Sequence, residues 1–373
     1  MTTPTINVVD AALGGEFPGP IPSPENESVP RAINAWGIDD WSSLIGSIFA
    51  SLGLVWLIYV QILPTSGKFG FFLCWYLAFL ALYGIVTSLS HPRPIVVDRI
   101  AAAVIAGGAG FVGLALVWTV GYVLYRGWPA YHHLNFYTHD MSGIPPTAPF
   151  TRGGIEHALV GSALELLIAV SISLPLGIGT AVYMTEVGGR LSRVVRTVVE
   201  AMTALPDLVA GLFIYSFLMV ALGYPRDGFA AALALSITML PIIARSSEVV
   251  LKVVPGGLRE ASLALGATQW QTVRKVVIPT ARPGLATALI LGVARGIGET
   301  APVLIVAGVS SYFNANPFKN PMNSLPLFGY EGIRSGEPGF ITRGYGAISV
   351  LLAVVILLFI VIRLLARQRV STR

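Results

Sequence analysis

Arg295 and Glu299 stand four residues apart in a long apolar stretch, so a helix drawn through them brings both side chains to one face. A charge in hydrocarbon costs at least about 2.5–3.5 kcal/mol on insertion scales, so such residues turn toward a bundle interior or a polar path. One outcome is an ion pair that fixes helix packing. The other is an element of an anion path, because the always-charged fork of an arginine suits oxyanion oxygens. Glu299 then holds that fork and keeps the anion from being trapped, since a conduit must release what it attracts. Gly296 and Gly298 allow close backbone approach beside the pair.

Other chemistry-bearing residues are less organised. Glu165 has an inward position but no partner that the sequence names, and Asp207 reads as a cap or interfacial residue. His132, His133, His139 and Asp140 cluster without the helical or hairpin spacing of a metal site, which favours an interfacial or partner-contact role. No Gly-rich loop ends in Gly-Lys-Ser/Thr, so the chain is not expected to bind ATP in that manner. No Ser/His/Asp or paired-carboxylate grouping points to an enzyme.

These residues need elements to hold them, and composition says which kind. Of 373 residues, 54% are hydrophobic and 12% are charged. Soluble domains carry about 25% charged residues, so much of this surface has to face lipid. A net charge of +5 fits membrane orientation better than nucleic-acid binding, and no nucleic-acid partner is expected. The single cysteine, Cys74, excludes an intrachain disulfide. No cleavable signal peptide is visible; residues 1–37 are Pro-rich and acidic, and read as a disordered cytoplasmic tail.

A spanning helix takes roughly 20 mainly apolar residues. Eight stretches qualify: 41–63, 70–90, 100–124, 155–183, 204–223, 228–250, 284–309 and 345–364. The fold class is all-α and integral to the membrane, since hydrocarbon offers open backbone groups no partner. Pro175, Pro206 and Asp207 predict kinks or bundle-facing sides in the fourth and fifth spans. Gly107, Gly108, Gly110 and Gly113, with Gly177 and Gly179, allow helices to approach closely.

Lys and Arg placement sets the orientation. With the N-terminus inside, sixteen of the 24 fall in inside segments; seven fall outside, and Arg295 lies in a span. Both termini are therefore expected in the cytoplasm. Segments 125–154 and 310–344 become large outer loops, rich in aromatic, Pro, Gly and Asn residues, as expected of ordered loops that meet a partner.

The loop between the sixth and seventh spans, residues 251–283, is then cytoplasmic. Pro255-Gly256-Gly257 ends the membrane helix, and a short helix follows with Glu260 in its first turn. Gly266 is placed to stop it in a left-handed cap. Thr268 and Gln271 form a capping box for a second short helix that Pro279 stops. Leu258, Ala261, Leu263, Leu265 and Trp270 make this hairpin too apolar to stand bare in the cytosol.

Glu260-Ala261-Ser262, three further residues, Gly266, and after nine more the ending Val276, Ile278, Pro279 resemble the EAA motif of ABC importer permeases. Ser262 stands where that family has Ala, and Val276 and Ile278 where it has Ile and Leu. Gly154 to Gly161, Leu174-Pro175-Leu176-Gly177 and Arg274 to Pro279 look like the permease core of phosphate importers. Ala294-Arg295-Gly296-Ile297-Gly298-Glu299-Thr300-Ala301-Pro302 is similar to the signature of their PstA-type subunit. The resemblance covers roughly residues 95–365.

The resemblance implies a six-helix core in 95–373, preceded by two extra helices in 38–94. It implies that Glu260, Ala261, Gly266, Ile278 and Pro279 couple the chain to an ATPase, with Arg295 and Glu299 in the translocation pathway. The implied partners are a PstC-type permease, a PstB-type ATP-binding dimer, a PstS-type phosphate-binding protein, phosphate and membrane lipid. No cofactor is implied on this chain; ATP and Mg belong to the ATPase, and hydrolysis with them. The expected location is the plasma membrane of a bacterium or archaeon. From the residues alone, a permease for another oxyanion such as sulfate or molybdate, or an ion channel needing no ATPase, stays open.

Overall fold

The computed structural model describes residues 37–62 and 67–366, which are mostly helical and contain no strand. The expected tail, 1–37, lies outside the described residues except for Gly37. Two compact units divide at Leu114, inside one long helix.

The first unit holds α1 (Ile38–Trp56), which continues in wider π-helical turns to Ile62, α2 (Lys68–Ser90) and the start of α3 (Arg93–Tyr131). Asp40 accepts from the Gly37 amide at 2.9 Å and pairs with Arg99, tying α1 to α3. Tyr76 on α2 donates to the Ala103 carbonyl at 3.3 Å and lies over Gly107, where an added Cβ would sit 2.7 Å from the ring. Of the four glycines expected to admit a neighbour here, only Gly107 has one; Gly108, Gly110 and Gly113 face open space.

The second unit is built around α8 (Gly228–Val253), far more buried than any other span. Its Ala230, Ala231, Ala232 and Ala234 carry so little side chain that neighbouring helices close in from several sides. On α5 (Glu156–Val182, continuing in π turns to Val187), Gly177 faces Ile243 of α8, where an added Cβ would fall 2.8 Å away. On α11 (Ile278–Ile297), Gly292 and Gly296 lie against Ile243 and Met239. Small residues four apart thus seat α11 directly on the central helix.

The remaining elements sit around this core. They are α4 (Asn135–Thr138), α6 (Gly189–Ala204), α7 (Asp207–Ile214, then π turns to Ala221), α9 (Gly256–Ala264), α10 (Gln269–Thr272), α12 (Ala301–Val306), α13 (Leu325–Arg334) and α14 (Pro338–Ala366). Among the described residues, seven helices are long and apolar enough to span a membrane, or eight if α6 and α7 are one span bent by 102°. Pro206 supplies that bend, as the sequence predicts for the 204–223 stretch.

Two boundaries differ from expectation. Pro279 does not end a short helix, because the chain is helical from Gln269 to Ile297 without interruption. Val273–Val277 forms π turns, which widen the helix just where the Pro279 ring would meet the carbonyl four residues back. The seventh span also stops at Ile297 rather than 309; Gly298 to Thr300 break it, and α12 starts anew.

At one end, the two long loops pack on each other. Asp140 accepts from the Phe313 amide at 2.8 Å and the Ser142 amide at 3.1 Å, and Met141 N–H donates to Ser311 at 2.9 Å. Arg343, 1% exposed, donates to the carbonyls of Pro146, Ala148, Pro149 and Arg152 at 3.0–3.4 Å. The 310–344 segment contains α13, packed against α14 through Gly329, Gly332 and Gly344. Burial raises the carboxyl of Glu331, on α13, above its ordinary range.

Candidate functional site

Arg295, on the last turn of α11, meets two carboxylates. Its Nε lies 3.0 Å from Glu299 Oε1 in an ion pair, and its Nη2 donates to Asp207 Oδ2. Glu299 follows the helix end rather than lying on the helix, yet Gly298 keeps right-handed helical angles and the Glu299 amide donates to Gly296 O at 3.2 Å, so the turn continues far enough to keep the pair. Asp207 opens α7, where the helix dipole favours a carboxylate. Asp207 reads from sequence as a cap or interfacial residue; in the structure it stands in the first turn of α7 and also pairs with the arginine 88 residues away. The signal available was an acid beside a proline inside an apolar stretch.

Packing fixes the relative positions of these groups. Gly211 of α7 lies on the backbone of Pro302 in α12, where an added Cβ would come within 2.7 Å of Pro302 Cα. Gly296, next to Arg295, is pressed on Met239. The cluster is nonetheless open: the Arg295 side chain is 44% exposed, Asp207 27% and Glu299 14%. It borders a cavity of about 260 Å³ that Pro206, Asp207, Thr238, Pro241 and Arg295 help to line. An accessible cationic fork with bound carboxylates can exchange one of them for another anion.

Glu165 is buried in α5, and its Oε1 has no hydrogen-bond partner among the described residues. The structure does not bring it to Arg295. The histidines near Asp140 form no metal-binding group among the described residues: His132 stacks on Trp128, and His139 contacts Thr138 at 3.0 Å.

The α9–α10 hairpin is the second candidate. Gly266 has φ +81°, the left-handed cap its position predicts, and Thr268 and Gln271 make the reciprocal capping bonds at 3.3 and 2.9 Å. Glu260 lies in the second turn of α9 rather than the first, because the helix already begins at Gly256. Glu260, Ala261 and Gly266 are exposed, whereas Ile278 and Pro279 are half-buried at the root of α11. Leu265 is 89% exposed and Trp270 65%, so the apolar surface expected to need a partner is indeed bare in the isolated chain.

The hairpin is clamped to the bundle from below. Arg259 donates to the Glu186 carboxylate at 2.9–3.2 Å, to Val254 O at 2.6 Å and to Leu251 O at 2.8 Å. Gln269 reaches the Glu186 carbonyl, and Ser262 and Thr272 hydroxyls join α9 to α10 at 2.9 Å. Nearby, Glu248 of α8, 2% exposed, receives Arg196 of α6 at 2.7 Å, Lys252 at 2.8 Å and Arg245 at 3.2 Å. The links between elements, Arg196 to Glu248 and Arg259 to Glu186, join residues 52 and 73 apart and leave no sequence signal; the helical spacing of Arg245, Glu248 and Lys252 was the one sign available.

Residues 173–371 match the family described as "Binding-protein-dependent transport system inner membrane component". Over 243 residues the chain is 40% identical to the phosphate transport system permease protein PstA 1 of Mycobacterium tuberculosis, spanning 65% of this chain and 78% of that one. It is 39% identical over 260 residues to phosphate transport system permease protein PstA of Mycobacterium leprae, spanning 69% and 85%. Among solved structures, an inward-facing MetNI methionine ABC transporter is 26% identical with a TM-score of 0.46, over 59% of this chain and 95% of that one.

Proposed function

Because the chain belongs to the binding-protein-dependent transport system inner membrane components, and among them to the PstA-type phosphate permeases, we infer that it forms half of the translocation pathway of an ATP-driven phosphate importer and couples to the ATPase through its α9–α10 hairpin. It is a multi-pass permease subunit of a phosphate ABC importer. In the fuller reading, a PstC-type subunit completes the pathway, and a PstS-type protein delivers phosphate to the loop end around Asp140. Two PstB-type subunits carry ATP and Mg and meet the hairpin. Both termini and the hairpin face the cytoplasm of a bacterium, and residues 38–94 add two helices to a core formed by 95–373.

The observation that carries this reading is the hairpin itself: a bare apolar surface around Leu265 and Trp270 on a rigid base. A surface that is exposed yet held in one geometry suits transmission of force from a docked partner. Glu260, Ala261 and Gly266 provide the contact, while Ile278 and Pro279 carry the motion into α11. Arg295 and Glu299 act in the path, and transport follows from shifting the bundle between inward- and outward-facing packings.

Two measurements on the assembled importer test the two halves. Glu260→Lys is expected to remove the ATPase from the purified complex. Arg295→Ala is expected to abolish phosphate uptake while the ATPase still co-purifies; wild-type uptake in that variant rejects the pathway role.

A further inference from the structure

Two carboxylates hold one guanidinium at the cavity beside α7, so the cluster of Asp207, Arg295 and Glu299 carries a net negative charge. The chain's packing pairs look different. Their acids are more deeply buried, Glu248 at 2% and Glu186 at 8% against Asp207 at 27% and Glu299 at 14%, while the cations overlap, Arg245 and Arg295 both being 44% exposed. An ion pair that only fixes helices has no need of a cavity or of a second acid.

We propose that Asp207 and Glu299 make Arg295 read the proton on an oxyanion, passing hydrogen phosphate or hydrogen arsenate and refusing sulfate. This rests on the reading of Arg295 as a pathway residue and deepens it. An anion that reaches the Arg295 fork comes to lie beside at least one carboxylate, whose oxygens only accept hydrogen bonds. Near neutral pH both protonation states of phosphate keep an O–H, which donates to that carboxylate while the unprotonated oxygens take the guanidinium. Sulfate has the same shape and size but no proton. It meets Asp207 and Glu299 as a like charge with no hydrogen bond to offset the repulsion. Asp207 and Glu299 are thus specificity-determining residues, and a site built around a donor rejects a ligand that lacks it more strongly than shape could.

The test reads Arg295 directly. The assembled importer in lipid nanodiscs is treated with phenylglyoxal, which consumes free guanidinium, and modification of the Arg295 peptide is followed by mass spectrometry with phosphate or sulfate at equal concentration. Phosphate is expected to slow the reaction roughly tenfold or more relative to sulfate, the scale of a carboxylate acceptor left unmatched. Asp207→Asn and, separately, Glu299→Gln replace an acceptor by an amide that also donates. Each is expected to bring sulfate to within about threefold of phosphate on the same scale. Equal protection by both anions in the unaltered chain overturns the proton reading and leaves the pathway reading intact. Protection by neither anion removes the pathway reading and this one with it. An unchanged phosphate-to-sulfate ratio in whichever of the two variants assembles also overturns it.

Discussion

Arg259 and Glu186 form a two-pronged ion pair, with guanidinium nitrogens 2.9–3.2 Å from the carboxylate, that joins the hairpin helix α9 to the end of α5. The pair is largely shielded, at 23% and 8% side-chain exposure, so its geometry survives salt better than a surface pair does. It fixes the hairpin to the end of α5.

Arg259→Ala is therefore expected to loosen the hairpin without unfolding the spans. Limited proteolysis should cut between 256 and 272 at least several-fold faster, and ATP-driven uptake should fall by roughly tenfold, the scale of about 1.4 kcal/mol lost from the coupled motion. Unchanged cleavage and uptake would show that the clamp is dispensable.

Leu265→Asp places a charge on the most exposed apolar side chain of the hairpin. Buried anchors at an interface contribute about 2 kcal/mol or more. Co-purification of the ATPase should thus drop by at least about tenfold, while thermal stability of the isolated chain stays within about 0.5 kcal/mol. A stability loss instead would mean that Leu265 packs within this chain.

Glu248 accepts from three cations, and its removal leaves them facing one another across α6 and α8. Since Arg196, Arg245 and Lys252 are 36–57% exposed, water takes up part of the loss. Glu248→Ala should cost about 1–3 kcal/mol, read from denaturation in detergent. No change in midpoint would assign the cluster no structural weight.

Glu331 lies outside the spanning segments, and burial holds its carboxyl above the ordinary value of 4.5. The folded chain then binds this proton more tightly than the unfolded chain does. Its contribution is full below 4.5 and is lost as pH rises through the elevated folded value. Glu331→Gln should flatten that fall in stability above pH 4.5, measured by melting at a series of pH values. An identical profile for the variant would exclude Glu331 as its source.

Hydropathy made the spans legible because every backbone group in lipid must be paired within a helix, which leaves long apolar runs as a plain signature. Capping residues did the same for Gly266 and Thr268, whose chemistry is local. What escaped was set by tertiary contact. Pro279 sits inside a continuous helix because π turns precede it, and no residue type marks those turns. Asp207 and Arg295 meet across a 102° bend between α6 and α7, with α7 packed on α8 and α12 rather than along α11. Arg343 lies in an outer segment by charge counting, yet its fork is buried under four loop carbonyls whose positions depend on the fold of 135–155.

The fork of Arg295 is filled by the chain's own acids, and this has an electrical consequence. An inside-negative membrane drives anions outward with about 2.3 kcal/mol per charge per 100 mV. A resting channel lined by a vacant cation would leak phosphate back to the medium along that gradient. On the proposed pathway role, the idle subunit instead meets the cell's anion pool with Asp207 and Glu299 already paired to the guanidinium, a cluster that does not attract anions. The concentration gradient built by ATP is then held while no turnover occurs.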